Sequence, residues 1–171
     1  MSDKFEKQKV SEYVANLLSN NSYIDNNFKS IKEWLFDKDN IYGQLNFQAK
    51  DASSAEEEFT KLAKHNRLQA YSLIKQYAKN LANNHKKYAP SIFEKNLIYL
   101  QELFGLKKYE KELLGLFIRY ERRESFYNTL KNISNSDICD TNNKALALGI
   151  CVDKVYSAFR KNSNLEQLGL I

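Results

Sequence analysis

Apolar side chains recur every three or four positions along most of this 171-residue chain. A period of about 3.6 residues places side chains on one face of an α-helix. In the first such segment Val10, Val14 and Leu17 follow this period, with Tyr13 and Leu18 beside them. No segment shows the sustained alternation that a large sheet would need. The sequence therefore predicts an all-α protein built as a multi-helix bundle.

Turn-forming residues divide the periodic pattern into separate helices. The cluster Asn20-Asn21-Ser22 ends the first helix, and a second helix is predicted over about residues 24–35. Residues 39–53 lack a helical period and are predicted to be irregular. The single proline, Pro90, favours the start of a later helix, and Gly105 favours the end of that helix.

One long helix is predicted in the middle of the chain. Ser53 and Glu56 have the spacing of a capping box, in which the two side chains bond to free amide groups at a helix start. The helical period continues well beyond them, with a break near His65-Asn66. A boundary after this helix divides the chain into two predicted helical regions, residues 1–88 and residues 89–171.

The sequence has none of the motifs that carry enzymatic chemistry. Its five glycines are too dispersed for a phosphate-binding loop or a dinucleotide-binding turn. His65 and His85 stand apart, without neighbouring metal ligands. Cys139 and Cys151 do not form a CxxC pair, and we expect both to be small, buried thiols. The chain is therefore predicted to have no enzymatic activity, no cofactor and no metal site.

Charge and hydropathy restrict the setting in which the chain acts. Its net charge is +5 and its isoelectric point is near 9.0, which permits contact with nucleic acid. Residues 119–124 form a charged patch, predicted to be a solvated ion-pair network or, alternatively, a surface that docks a partner. No apolar run reaches the roughly 20 residues of a membrane span, and an apolar signal core is missing from the N-terminus. We expect no membrane contact and a cytoplasmic location.

The last thirty residues contain the spacing of a helix-turn-helix. Ala145, Gly149 and Val155 stand four and then six residues apart. At this spacing a small residue lets two helices touch, a glycine forms the turn, and a branched residue packs the second helix. The first helix is predicted over residues 142–148 and the second over residues 152–161.

The outward face of the second predicted helix decides whether the motif binds DNA. The candidate nucleic-acid contacts are Lys154, Tyr156, Ser157, Arg160 and Lys161. The residues predicted to face inward are Leu148, Ile150, Val155 and Ala158. Asp153 would repel phosphate, and Val152 offers no hydrogen bond on the outward face. Lys144 stands at a position that is usually apolar. These residues favour a structural role for the motif over DNA reading.

Several segments of the second half together resemble a known family. They are residues 103–106, residues 109–114, residues 145–150 with Val155 and Phe159, and residues 165–171. In this order they resemble the region that precedes the ATPase core in a group of bacterial AAA-family ATPases. The resemblance implies a winged-helix-like segment in which residues 165–171 begin the strand after the second helix, and a further domain beyond Ile171. It also implies a non-catalytic module, because the Walker motifs of such proteins do not occur in this sequence.

Two functions remain as hypotheses. The first is a recognition or assembly module that binds protein partners, similar to the N-terminal region of an AAA-family ATPase. The alternative is a helix-turn-helix regulator that binds DNA. DNA affinity that falls steeply with salt, and is lost when Arg160 and Lys161 become alanine, would favour the regulator.

Overall fold

The computed structural model describes residues 3–38, 40, 43–45, 47, 52–83, 88–122, 124–133 and 140–170, and all regular secondary structure within them is helical. The helices are α1 (Asp3–Leu18), α2 (Asn21–Asn26), α3 (Phe28–Phe36), α4 (Ala52–His65), α5 (Arg67–Asn83), α6 (Ile92–Phe104), α7 (Lys108–Arg122), α8 (Glu124–Ile133), α9 (Thr141–Leu148), α10 (Val152–Ala158) and α11 (Asn164–Gln167). The prediction of an all-α protein is confirmed, and the packing of these helices fits a helical bundle.

Polar side chains set several helix starts. Asn20 caps α2 by accepting a hydrogen bond from the amide of Tyr23, and Ser91 caps α6 by accepting one from the amide of Glu94. The predicted second helix is divided at Asn27, whose side-chain amide donates to the carbonyl of Tyr23 at 2.9 Å. Side-chain bonds of this kind compete with the helical ladder, which explains the interruption.

The predicted long helix is two helices. Asn66 separates α4 from α5, and its side-chain oxygen accepts a hydrogen bond from the amide of Gln69 at 3.1 Å. The predicted break near residues 65–66 is therefore confirmed. The start is shifted, because α4 begins at Ala52, one residue before the predicted cap Ser53, whose side chain lies outside the described residues. Most of the segment predicted to be irregular also lies outside them, but Leu45 is buried and its amide donates to Leu35.

Two apolar cores stabilise the bundle. The larger core combines side chains from α1 to α5 with Leu116 of α7, Phe126 of α8 and Ala147 of α9. The smaller core lies between α6, α7, α9, α10 and α11 and includes Leu97, Leu113 and Val155. Helix α7 contributes to both cores, since its Leu113 packs in the smaller core and its Leu116 packs in the larger one.

The two predicted regions of the chain pack on each other. Asn16 of α1 donates its side-chain amide to the carbonyl of Ala147 in α9 at 2.8 Å. The larger core also includes residues from both sides of the predicted boundary. The division into residues 1–88 and 89–171 stays a prediction, but the described helices of the first region are packed against those of the second. None of the described helices is long and apolar enough to cross a membrane.

Candidate functional site

A cluster of charged side chains is buried where α1, α6 and α7 meet. Arg119 of α7 is 1% exposed, Glu94 of α6 is 4% exposed, and Glu6 of α1 is fully buried. The guanidinium Nε of Arg119 lies 2.7 Å from Oε2 of Glu6, and Nη2 lies 2.6 Å from Oε2 of Glu94. Its Nη1 donates to the hydroxyl of Tyr13 at 3.1 Å. One arginine therefore joins three helices.

Further donors satisfy the two buried carboxylates. The hydroxyl of Ser91, the residue that caps α6, donates to Glu6. The ammonium of Lys111 donates to Oε1 of Glu94 at 2.7 Å and pairs with Glu112 at 2.8 Å. Burying charges costs several kcal/mol for each ion unless partners and hydrogen bonds compensate. Each carboxylate of the ionic network, Glu6 and Glu94, has more than one donor, and its burial is therefore offset.

The backbone of α7 leaves space for the guanidinium at Gly115. A methyl group on this residue would lie 2.8 Å from Nη1 of Arg119 and 2.9 Å from Cδ1 of Leu97. Both distances are shorter than van der Waals contact, and one of the two buried side chains would have to move. The ring of Phe93 covers the guanidinium, with 4.8 Å between the ring centroid and Cζ. This contact adds a cation–π attraction and fixes the position of the ring.

The ionic network shifts the proton affinities of its members. Burial acts to raise the pKa of Glu94, but hydrogen bonds from Lys111 and Arg119 outweigh it and hold this pKa below its usual value. Burial acts to lower the pKa of Lys111, but hydrogen bonds to Glu112 and Glu94 outweigh it and raise this pKa. Burial also raises the pKa of the Tyr13 hydroxyl well above its usual value. Near neutral pH, Glu94 and Lys111 are therefore both charged.

The free energy of unfolding is expected to fall in acid partly because of Glu94. Its pKa is lower in the folded than in the unfolded chain, so the unfolded chain takes up a proton first as the pH falls. The stabilisation by Glu94 is fully present above the unfolded pKa of about 4.3 and is lost as the pH falls through the folded pKa. Urea denaturation between about pH 7 and pH 3 should therefore show a smaller loss for Glu94→Gln than for the wild type. Replacing the exposed Glu57 with glutamine is the control, and equal losses in all three proteins would contradict the prediction.

The sequence-based prediction for residues 119–124 is wrong at Arg119. This residue was expected in a solvated charged patch, whereas its side chain is among the largest that are fully buried. The signal that identifies it is its position, because Leu113, Leu116 and Arg119 follow at intervals of three on the buried side of α7. Charge alone made the segment look exposed, while the helical period places Arg119 toward the core.

An apolar groove lies beside the ionic network. It has a volume of about 970 Å³. Its lining residues are Phe93, Leu114, Phe117, Ile118, Arg119, Glu121, Arg122, Phe159 and Leu170. This volume is in the range of sites that take up a small molecule or several side chains of a partner. Because its walls come from α6, α7 and the two segments after α10 and α11, the groove exists only in the folded chain.

Another buried cation contacts the other aromatic walls of the groove. Lys144 of α9 is 7% exposed, and its ammonium lies 5.0 Å from the ring centroid of Phe117 and 5.1 Å from that of Phe159. The two rings are 5.9 Å apart and meet edge to face. The polar residue that looked misplaced in the sequence therefore packs against two aromatic rings at once. The methylene stem of lysine can occupy a core position in this way while its charge contacts the rings.

The helix-turn-helix spacing corresponds to a real pair of helices. Helix α9 ends at Leu148, Gly149 has a φ of 64°, and α10 begins at Val152 after a short turn. A left-handed φ favours glycine, which explains the turn. Val155 and Ala158 are buried as predicted, and Leu148 and Ile150 are half-buried against the smaller core. The second helix is shorter than predicted, because it ends at Ala158 instead of residue 161.

Most of the candidate nucleic-acid contacts are exposed, but they do not form one helical face. The side chains of Lys154, Tyr156, Arg160 and Lys161 are exposed, whereas Ser157 is half-buried. The hydroxyl of Ser157 donates to the carbonyl of Asp153 at 2.7 Å. Arg160 and Lys161 lie after the end of α10, in the turn that leads to α11. Only Lys154 and Tyr156 of the exposed residues therefore lie on the second helix itself.

Three further predictions in this segment are corrected. Cys151 is exposed as a free thiol, because it is the residue that precedes α10 and its side chain makes no capping bond. Val152 faces the smaller core and not the outside. Residues 164–167 form the single turn α11, so the strand predicted over residues 165–171 is not observed in its described part. Ser163 caps this turn and Gly169 ends it with a φ of 63°, which stabilises a helical turn instead of an extended edge.

Metal-binding residues are not assembled in the described part of the chain, where no group of three or more histidine, cysteine, aspartate or glutamate side chains could hold an ion. His65 is exposed in the last turn of α4, while His85 and Cys139 lie outside the described residues. No protein-family model matches the sequence, and neither the curated proteins nor the solved structures include a significant match.

Proposed function

We propose that this chain is a non-catalytic recognition module that binds a partner protein in the apolar groove between α6, α7 and the segment after α10. The observation that carries this proposal is that buried cations hold the aromatic walls of the groove in place. Phe93 packs on Arg119, while Phe117 and Phe159 pack on Lys144. A groove whose aromatic side chains are already ordered loses less conformational entropy when a partner binds.

The chemistry of the groove favours an amphipathic partner segment with acidic flanks. Aromatic and aliphatic residues line most of it, and these would receive the apolar face of a helix. Exposed Arg122 lies at its edge, and exposed Arg160 and Lys161 directly follow the wall residue Phe159. Glu121 is an acidic residue at the same edge. The excess of positive charge would steer an acidic segment toward the groove.

A recognition role of this kind is what the resemblance to the N-terminal regions of AAA-family ATPases implies. In this proposal α9 and α10 form a helix-turn-helix that supports the groove and does not read bases. Its first helix supplies Lys144, and Phe159 directly follows its second helix. The winged-helix-like character then rests on α9, the glycine turn and α10.

Binding can be tested with two designed helical peptides that both carry leucines on one face. The other face carries glutamates in the acidic peptide and lysines in the basic peptide. We expect the acidic peptide to bind more tightly, as measured by fluorescence anisotropy. Ile118→Glu places a charge in the groove at a half-buried position, and it should weaken binding by about tenfold or more, since one buried apolar side chain is worth about that much.

The matched control is Leu68→Glu, which introduces the same charge at a leucine that is 77% exposed on α5 and does not line the groove. This variant should bind the acidic peptide as the wild type does. Equal affinities of wild type, Ile118→Glu and Leu68→Glu would overturn the groove as the binding site.

DNA binding is the second candidate function, favoured by the exposure of Lys154, Tyr156, Arg160 and Lys161. A fluorescent duplex titrated at increasing salt separates it from the first. Tight binding that weakens steeply with salt, is lost in Arg160→Ala with Lys161→Ala, and is unchanged in Ile118→Glu would favour the regulator. The same result would count against the protein-binding module.

A further inference from the structure

Helix α6 has an apolar stripe that faces away from the bundle. Ile92 is 72% exposed, Tyr99 is 62% exposed and Leu103 is 57% exposed. With Asn96, they follow at intervals of four, three and four residues, which places them in one line along the helix. The opposite side of α6 contributes Leu97 and Glu94 to the interior and packs on α7. The helix therefore has two apolar sides, of which one is covered by the described residues.

Burial elsewhere makes this exposure unusual. Leucine and isoleucine side chains of the described residues mostly lie in the two cores, many of them fully buried. Single exposed apolar residues are common on protein surfaces, but three large ones aligned on one face of one helix, with only Asn96 between them, indicate an interaction surface. We call the line formed by Ile92, Asn96, Tyr99 and Leu103 the α6 stripe.

The charges beside the α6 stripe are complementary to a second copy of themselves. Lys95 directly precedes Asn96 and Glu102 directly precedes Leu103, so both lie on the same flank of the stripe, and both are exposed. They stand at equal distances, about 5 Å along the helix axis, on either side of the midpoint between Ile98 and Tyr99. A two-fold axis at that midpoint would place each Lys95 against Glu102 of the second copy.

We propose that two copies of this chain associate through the α6 stripe, with the two α6 helices antiparallel across a two-fold axis. In this arrangement the same flanks of the two helices meet, as they do in antiparallel coiled coils, and two Lys95–Glu102 pairs form. Tyr99 lies next to the axis, and Ile92 packs toward Leu103 of the other copy. A parallel arrangement would bring Lys95 level with Lys95 and would form no such pair, so the charges select the antiparallel one.

The contact lies on a different side of α6 from the buried network and does not depend on the function proposed for the groove. Glu94 of that network points to the interior, whereas the α6 stripe is exposed. A dimer formed through the α6 stripe would present two grooves in one assembly. Two linked grooves would increase the apparent affinity for a partner that carries two binding segments.

Sedimentation velocity over a range of concentrations tests the proposal on the full chain. We expect a concentration-dependent dimer. Tyr99→Glu should raise the dissociation constant of the dimer about 30-fold, the effect of losing a central aromatic contact. Leu68→Glu, at an exposed leucine of α5, should leave the dissociation constant unchanged. Circular dichroism should show unchanged helix content in Tyr99→Glu, because the side chain is exposed.

A charge exchange tests the antiparallel geometry. Lys95→Glu alone and Glu102→Lys alone should each weaken the dimer several-fold, because each creates two like-charged pairs. The double variant Lys95→Glu with Glu102→Lys should restore the wild-type dissociation constant. Single variants that weaken the dimer without rescue in the double variant would overturn the antiparallel pairing.

Two results would overturn the dimer itself. One is a chain that stays monomeric at concentrations up to about 1 mM, because the dissociation constant would then lie well above that concentration. The other is a dimer that persists unchanged in Tyr99→Glu. A monomeric chain that instead binds a designed leucine-faced helix, and loses it in Tyr99→Glu, would assign the α6 stripe to a different protein partner.

Discussion

Replacing Arg119 with methionine is expected to lower the free energy of unfolding by about 3–5 kcal/mol, the usual effect of removing one partner from a buried ionic network. The change leaves Glu6 and Glu94 in the interior without the guanidinium that pairs with both. Lys111 and Ser91 still contact these carboxylates but cannot replace the two lost charge-assisted bonds. Urea denaturation at neutral pH measures this loss.

Two further variants show whether the loss of stability comes from buried carboxylates that are left without a partner. Arg122→Met removes an exposed arginine from the same helix and should change the stability by about 0.5 kcal/mol or less. A triple variant, with leucine at Glu6 and Glu94 and methionine at Arg119, should recover part of the loss, since the two carboxylates that lose the guanidinium are removed with it and Lys111 keeps its pair with Glu112. A loss below about 1 kcal/mol in Arg119→Met would contradict a buried, fully paired network.

Replacing Phe59 with alanine is expected to destabilise the chain by about 3–5 kcal/mol, because a large cavity would remain in the larger core. Phe59 of α4 is fully buried, and its ring centroid lies 5.5 Å from that of Phe36, 5.8 Å from that of Phe47 and 6.2 Å from that of Phe28. Four rings in contact leave little freedom for the surroundings to collapse into the space. Thermal and urea denaturation give the change in stability.

The control for Phe59 is Leu68→Ala, at the same exposed leucine of α5 that serves as a control for binding. Its expected effect is about 0.5 kcal/mol or less. A comparable loss in the two variants would show that the four-ring cluster does not stabilise the fold. Because Phe59 belongs to the larger core and does not line the groove, the fraction of Phe59→Ala that remains folded should still bind the acidic peptide.

The ionic network and the groove belong to one arrangement of side chains. Arg119 pairs with Glu6 and Glu94 on one side and covers Phe93, a wall of the groove, on the other. Disturbing the network should therefore disturb the shape of the groove. Gly115 enters the same arrangement, since it provides the space in which the guanidinium lies.

Much of the helical framework is predictable because its signals are local. The period of apolar residues, the break at Asn66, and the glycines at 105 and 149 act through neighbours within one or two turns. The same kind of signal misled at residues 165–171. There an apolar segment resembles a strand, but Ser163 and Gly169 enclose one helical turn whose Leu165 packs in the smaller core.

The residues of the site were harder to predict, because their burial depends on partners that are distant in the sequence. Arg119 looked solvated because it is charged and lies among charged neighbours. Its burial requires Glu6, which is 113 positions away, and Glu94, which is 25 positions away. Lys144 looked misplaced for the same reason, since its partners Phe117 and Phe159 come from other segments.

The sequence by itself determined that the chain is helical, where many of its helices begin and end, and that α9 and α10 are joined by a glycine turn. These properties follow from spacing, capping and backbone conformation, which act between near neighbours. Only the tertiary structure decided which charges are buried and which apolar side chains remain exposed. A buried charge is stable only where partners from other helices meet it, and that meeting depends on how the helices pack.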